Sequence, residues 1–123
     1  MSAPSVAPME LGKFKIRQHE FKLAEEAFLK EVNQNPENHE AWFYIGFCRK
    51  RLYRVEEAVE PFEKAVNLFP SDPDYLYELA LSYRTVRRHS DAFDAAKKLK
   101  NLSQTRFTAE KVEELVNLCS KTD

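Results

Sequence analysis

Apolar residues recur along the chain at separations of three and four, as in Phe43, Tyr44 and Phe47 and again in Val55, Val59, Phe62 and Val66. Each set therefore falls on one face of a helix. The pattern itself repeats: displaced by 34 residues, Leu11 falls on Ile45 and Leu79, Gly12 on Gly46 and Ala80, and Ala24 on Ala58 and Ala92. Other columns fade outward from the middle copy. Phe28 and Phe62 give way to Ala96, Pro36 and Pro70 to Gln104, and Trp42 is matched by Pro8 and Leu76. Two helices per copy are predicted, with copies at about 5–38, 39–72 and 73–106 and a short flexible tail over 1–7.

Local signals mark the helix ends. Pro8 and Pro73 suit a first helical position, Asp72 and Ser90 suit N-caps, and Pro36 and Pro70 close the second helices of their copies. Pro61 falls inside its helix, where the missing N–H predicts a slight bend. Thr108 is placed to cap a last helix over about 109–120, whose Val112, Leu115, Val116 and Cys119 form one apolar stripe. A helix with a single apolar face fits the otherwise exposed end of a stack of repeats.

The middle copy reads Trp42, Ile45, Gly46, Ala58, Phe62, Ala65, Pro70, which resembles the tetratricopeptide repeat signature. The resemblance runs over residues 5–104. Pro8 stands where a bulky aromatic is usual, Arg49 where a tyrosine is usual, and the third copy replaces Phe and Pro by Ala96 and Gln104. It implies an all-α fold: an α-solenoid of three antiparallel helix-turn-helix hairpins over 8–120, one domain, closed by a C-terminal capping helix. In packing terms, Gly12, Gly46 and Ala80 predict close approach of the two helices of a copy, with Ala24, Ala58 and Ala92 opposite them. Trp42, Phe28 and Phe62 are assigned to the space between successive hairpins.

The resemblance further implies that the first helix of each hairpin lines a concave face that receives an extended or helical peptide. By that geometry Val6, Met9, Glu10 and Lys13 point inward in the first copy. The candidate partner-binding residues follow in the other two: Glu40, Phe43, Tyr44, Phe47 and Lys50, then Asp74, Tyr77, Glu78, Leu81 and Arg84. Phe43, Tyr44, Phe47, Tyr77 and Leu81 lie outside the signature's packing columns, and an apolar patch that the scaffold does not need marks a binding surface. The alternative is that the C-terminal helix or tail folds into the groove and buries them. The family's carboxylate clamp, which grips the acidic tail of heat-shock chaperones, is absent, its places being taken by Met9, Tyr44, Asp74 and Glu78. The expected ligand is an apolar segment with one basic and one acidic end. The expected function is a protein–protein interaction adaptor; a homodimerising structural scaffold and a small secretion or pilus-type chaperone are the alternatives.

Composition narrows the field. With 43% hydrophobic residues in a chain of 123, one domain can bury a core and general disorder is excluded. Lys and Arg number 19 against 20 Asp and Glu, a net charge of -1, so the positive field needed for nonspecific nucleic-acid or anionic-membrane binding is missing. No nucleic-acid partner is expected, and no membrane insertion, since no run approaches the ~20 apolar residues a span requires. Cys48 and Cys119 sit in apolar helix-like runs without metal-ligand spacing, and Met1 to Ala7 lack a basic start and an apolar core. A cytoplasmic, reduced protein is expected.

Cations gather where the first helices end: Lys15 and Arg17; Arg49, Lys50, Arg51 and Arg54; Arg84, Arg87 and Arg88. There they complement the helix dipoles. Glu56, Glu57, Glu60 and Glu63 read as a solvated face. His19–Glu20 and His39–Glu40 lack the second histidine of a zinc helix, and there is no nucleophile elbow or glycine-rich phosphate loop. His19, His39 and His89 read as solvated. No catalytic residue, metal or cofactor is expected, and the chain does not read as an enzyme.

Overall fold

The computed structural model describes residues 6–102 and 107–120. Those residues form α1 (Pro8–Arg17), α2 (Phe21–Gln34), α3 (His39–Arg51), α4 (Val55–Leu68), α5 (Pro73–Thr85), α6 (His89–Lys100) and α7 (Ala109–Ser120). No strand occurs among them. The fold is all-α, a succession of tetratricopeptide-like helical hairpins. It divides into two compact units, one ending at Leu68 and one beginning at Phe69. In the first, α1 packs on α2, α2 on α3 and α3 on α4; in the second, α5 packs on α6 and α6 on α7. Most of the expected tail, residues 1–5, lies outside the described residues, as does Gln104.

The turn inside each hairpin is closed in the same way. His19, Tyr53 and Arg87, which recur at the repeat period, have φ of 61°, 61° and 67°. The amide of the following residue then donates five residues back: Glu20 to the Lys15 carbonyl at 2.9 Å, Arg54 to Arg49 at 2.8 Å, Arg88 to Tyr83 at 2.8 Å. With the inner bonds His19 to Ile16, Tyr53 to Lys50 and Arg87 to Arg84, each is a Schellman closure made without glycine. Left-handed backbone is unfavourable for a residue with a Cβ, so each turn carries some local strain.

Helix starts follow the sequence signals with one exception. The Asp72 carboxylate accepts from the amides of Asp74 and Tyr75, and the Thr108 hydroxyl accepts from that of Lys111 at 3.1 Å. Asn38, which the sequence did not single out, caps α3 by accepting from the Ala41 amide at 3.2 Å. Ser90 is not the cap of α6: the helix already begins at His89, and Ser90 lies within it. The Schellman closure fixes Arg88, whose carbonyl accepts from Ala92 at 2.9 Å, so the helix starts upstream of the serine.

The close approach of paired helices is real. A Cβ on Gly12 would lie 2.5 Å from the Phe28 ring, and one on Gly46 would lie 2.6 Å from the Phe62 ring. Each glycine thus makes room first for a phenylalanine ring. Ala24, Ala58 and Ala92 are fully buried beside it. In the third copy the glycine column holds Ala80 and the phenylalanine column Ala96, both fully buried. Where the backbone gains a methyl, the facing column loses a ring. Trp42 is half-buried against the first unit's core, its indole N–H donating to the Pro36 carbonyl at 2.7 Å.

In the second unit α7 lies on α6 through buried Val112, Leu115 and Cys119. A Lys100–Glu113 ion pair at 2.6 Å fastens the same pair of helices.

Two outcomes follow. Gly46→Ala should destabilise the chain by roughly 1–3 kcal/mol and Phe62→Ala by about 3–5 kcal/mol, while the double variant should lose distinctly less than their sum; urea unfolding of all four chains gives the coupling. Tyr53→Gly should raise the unfolding free energy by about 0.5–1 kcal/mol, read as a higher urea midpoint, because it relieves a left-handed residue whose side chain is 92% exposed.

Candidate functional site

The amphipathic pattern of α3 sends Ala41, Ile45 and Cys48 into the core and leaves Glu40, Phe43, Tyr44, Phe47 and Lys50 half-buried. The three rings do not stand clear of the scaffold, as the packing columns suggested. Tyr44 stacks on Phe28 at 4.9 Å and 14°, Phe43 tilts against Phe62 at 5.5 Å, and Phe47 meets the edge of Phe21 at 6.1 Å. Core Phe28 and Phe62 therefore set the pose of Tyr44 and Phe43, half-buried Phe21 borders Phe47, and each of the three α3 rings keeps part of its surface in water. Arg51 extends the array, its guanidinium 4.8 Å from the Phe21 centroid.

The acidic end of this face is neutralised within the unit. Lys13 Nζ of α1 lies 3.0 Å from the Glu40 carboxylate of α3. That pairing holds the Lys13 ammonium above its ordinary pKa, and burial with the nearby Glu40 charge raises the Tyr44 phenol. Sequence reading named both charges but not their union, because residues on separate helices share no fixed spacing. In the second unit Asp74, Tyr77, Glu78 and Leu81 of α5 are half-buried and Arg84 is exposed. Tyr77 stacks on Phe107 at 4.6 Å and 14°, with Lys111 Nζ 5.9 Å from its centroid. Part of the α5 face is thus covered by the segment leading into α7.

The cations at the end of α3 serve a buried carboxylate that the sequence did not reveal. Glu25 of α2 is 2% exposed; Arg49 Nε donates to it at 2.6 Å and Arg54 Nη1 at 2.8 Å. Arg54 also holds the Glu57 carboxylate, so Glu57 is not simply a solvated residue. Pro61 explains the second role of Arg49. Lacking an N–H, it cannot bond the Glu57 carbonyl one turn earlier in α4, and Arg49 Nη1 donates to that carbonyl at 3.0 Å instead. Burial alone would raise the Glu25 pKa, but the hydrogen bonds and charges of Arg49 and Arg54 outweigh it and hold the carboxyl below its ordinary 4.5.

Burial pushes the Cys48 thiol up to about 12, which marks a packing residue and not a nucleophile. Among the described residues no group of three or more His, Cys, Asp or Glu could hold a metal ion, and no helix is long and apolar enough to cross a membrane. His89 differs from its expected solvated state: its Nδ1 is buried without a hydrogen-bond partner at the start of α6.

Comparison with known proteins agrees with this geometry. The family profile described as tetratricopeptide repeat matches residues 10–73 and, overlapping it, 49–105. No characterised protein matches by sequence alone. Among solved structures the fold is similar to the Yersinia enterocolitica type III secretion translocator chaperone SycD, with a TM-score of 0.81 and 11% identity over 91% of this chain and 80% of that one. SycD has also been solved with a peptide of the translocator YopD. The TPR2B domain of yeast Sti1, solved in a complex with pHsp70, gives 0.80 and 16% over 92% and 93%. A MamA mutant gives 0.72 and 28% over 80% and 72%.

Glu25→Gln should cost about 1–3 kcal/mol at neutral pH, since two guanidinium groups lose their charged acceptor. A carboxyl whose folded pKa is depressed stabilises fully above its unfolded pKa and loses that contribution as pH falls through the folded value. The gap between the two chains should therefore narrow below about pH 4.5, the ordinary value, in unfolding titrations from pH 7 to pH 2.

Proposed function

Because the chain belongs to the tetratricopeptide repeat family, we propose that it is a non-catalytic adaptor that binds a peptide or protein segment on the faces of its first helices. The observation that carries this reading is the row Phe43, Tyr44 and Phe47 on α3, half-buried against neighbouring rings, between Glu40 at one end and Lys50 at the other. Rings fixed in advance lose little freedom when a ligand packs on them, which favours their use as anchors. Solved proteins of similar fold support the reading, one holding a translocator peptide and another, the first tetratricopeptide domain of Spaghetti, an HSP90 peptide. On α5, Asp74, Tyr77, Glu78, Leu81 and Arg84 form the corresponding face of the second unit.

The chemistry differs from carboxylate-clamp recognition. Met9 and Tyr44 cannot supply the clamp's charge, and Asp74 and Glu78 would repel a terminal carboxylate. With Glu40 paired to Lys13, the α3 face presents rings and, at its C-terminal end, the Arg51 guanidinium beside Phe21. An apolar segment followed by an acidic residue suits it.

Affinity capture from a native lysate tests the reading with wild type beside Phe47→Ala and Lys50→Glu. Proteins retained by the wild type should be lost from both variants while each still unfolds cooperatively. Retention of the same proteins by all three chains would remove the α3 face from consideration.

A further inference from the structure

Tyr77 is stacked by a residue that the repeat pattern does not supply. The 34-residue period carries His39 to Pro73, the first residues of α3 and α5, and Pro73 to Phe107. A regular next copy would begin its first helix there. Thr108 caps α7 instead, so the helix starts at Ala109 and Phe107 stays in irregular backbone just before it. From that position its ring lies 4.6 Å from the Tyr77 ring and nearly parallel to it, on the α5 face that the repeat geometry assigns to partners.

The stack is separable from the docking of α7. That helix is held on α6 by buried Val112, Leu115 and Cys119 and by the Lys100–Glu113 pair, all beyond the ring contact. The Phe107–Tyr77 stack is thus not among the contacts that hold α7 on α6. Phe107 also shows what chemistry the site takes: a flat aromatic side chain with a cation beside the stack, here Lys111.

We infer that Tyr77 is the centre of an aromatic-recognition site which Phe107 fills as an intramolecular ligand, and that a partner occupies it by presenting a Phe or Tyr side chain in place of Phe107. The inference rests on the reading that first-helix faces bind partners. A tethered ring acts at an effective concentration of millimolar order, so a free segment must compete with it. Weak external ligands are excluded and stronger ones admitted.

The probe is a synthetic peptide of residues 105–112, Thr-Arg-Phe-Thr-Ala-Glu-Lys-Val, titrated to millimolar concentration against isotope-labelled full chains and followed by NMR. Phe107→Ala should bind it at least about tenfold more tightly than wild type. Binding should vanish in the Tyr77→Ala, Phe107→Ala double variant and with a peptide whose Phe is replaced by Ala. Amide exchange in α7 should stay protected in Phe107→Ala. Equal binding to wild type and Phe107→Ala, binding that survives loss of Tyr77, or no binding to a Phe107→Ala chain with α7 protected would each overturn the inference. So would loss of that protection, which would make Phe107 a structural tether. The readout is local to α5, so its failure is distinct from a failure of capture by the α3 face.

Discussion

A phenylalanine ring resting on glycine backbone is the contact on which the first unit depends. Phe28 occupies the space over Gly12 and Phe62 the space over Gly46, at distances that leave no room for a methyl group. Both rings are fully buried. Each also faces the next layer outward, Phe28 stacking with Tyr44 and Phe62 meeting Phe43. The same two side chains thus close the hairpins and set the pose of Tyr44 and Phe43, so scaffold and candidate recognition surface are one packing problem. A change at Gly46 would be felt at Phe43.

The second constraint joins two oddities of the middle copy. Arg49 replaces the usual tyrosine of the signature, and Pro61 stands where the neighbouring copies have Ala27 and Ala95. The proline frees the Glu57 carbonyl, and the arginine satisfies it while pairing with Glu25. Neither residue makes sense alone. A buried carboxylate with two guanidinium partners ties α2 to α3 and to the turn before α4, an arrangement whose value lies in specifying geometry as much as in net stability.

Much of this was legible in the chain. The 34-residue period, the two helices per copy, the N1 prolines, the Asp72 and Thr108 caps and the apolar stripe of α7 are local or periodic signals, and the helices obey them. What escaped is what periodicity cannot express. Columns show which residues are equivalent, not which column crosses which, so the period does not reveal that the rings of Phe28 and Phe62 lie directly over Gly12 and Gly46. Ser90 has the chemistry of a cap, but the tight closure after α5 had already fixed the start of α6. The Glu25 cluster and the Lys13–Glu40 pair join separate helices and carry no sequence spacing. Phe107 falls outside every helix, and its contact with Tyr77 joins positions 30 residues apart that no helical spacing relates.

The proposed adaptor role rests on the α3 face, where Phe43, Tyr44 and Phe47 are half-buried against neighbouring rings and Glu40 is paired with Lys13. The most direct test of that claim is site-specific photocrosslinking in cells, with a benzophenone side chain placed at Phe47 and, as a control, at exposed Lys30 on α2. A discrete adduct with another polypeptide from position 47 and none from position 30 is the predicted result. Adducts from position 30 alone, or none from position 47, would contradict the account.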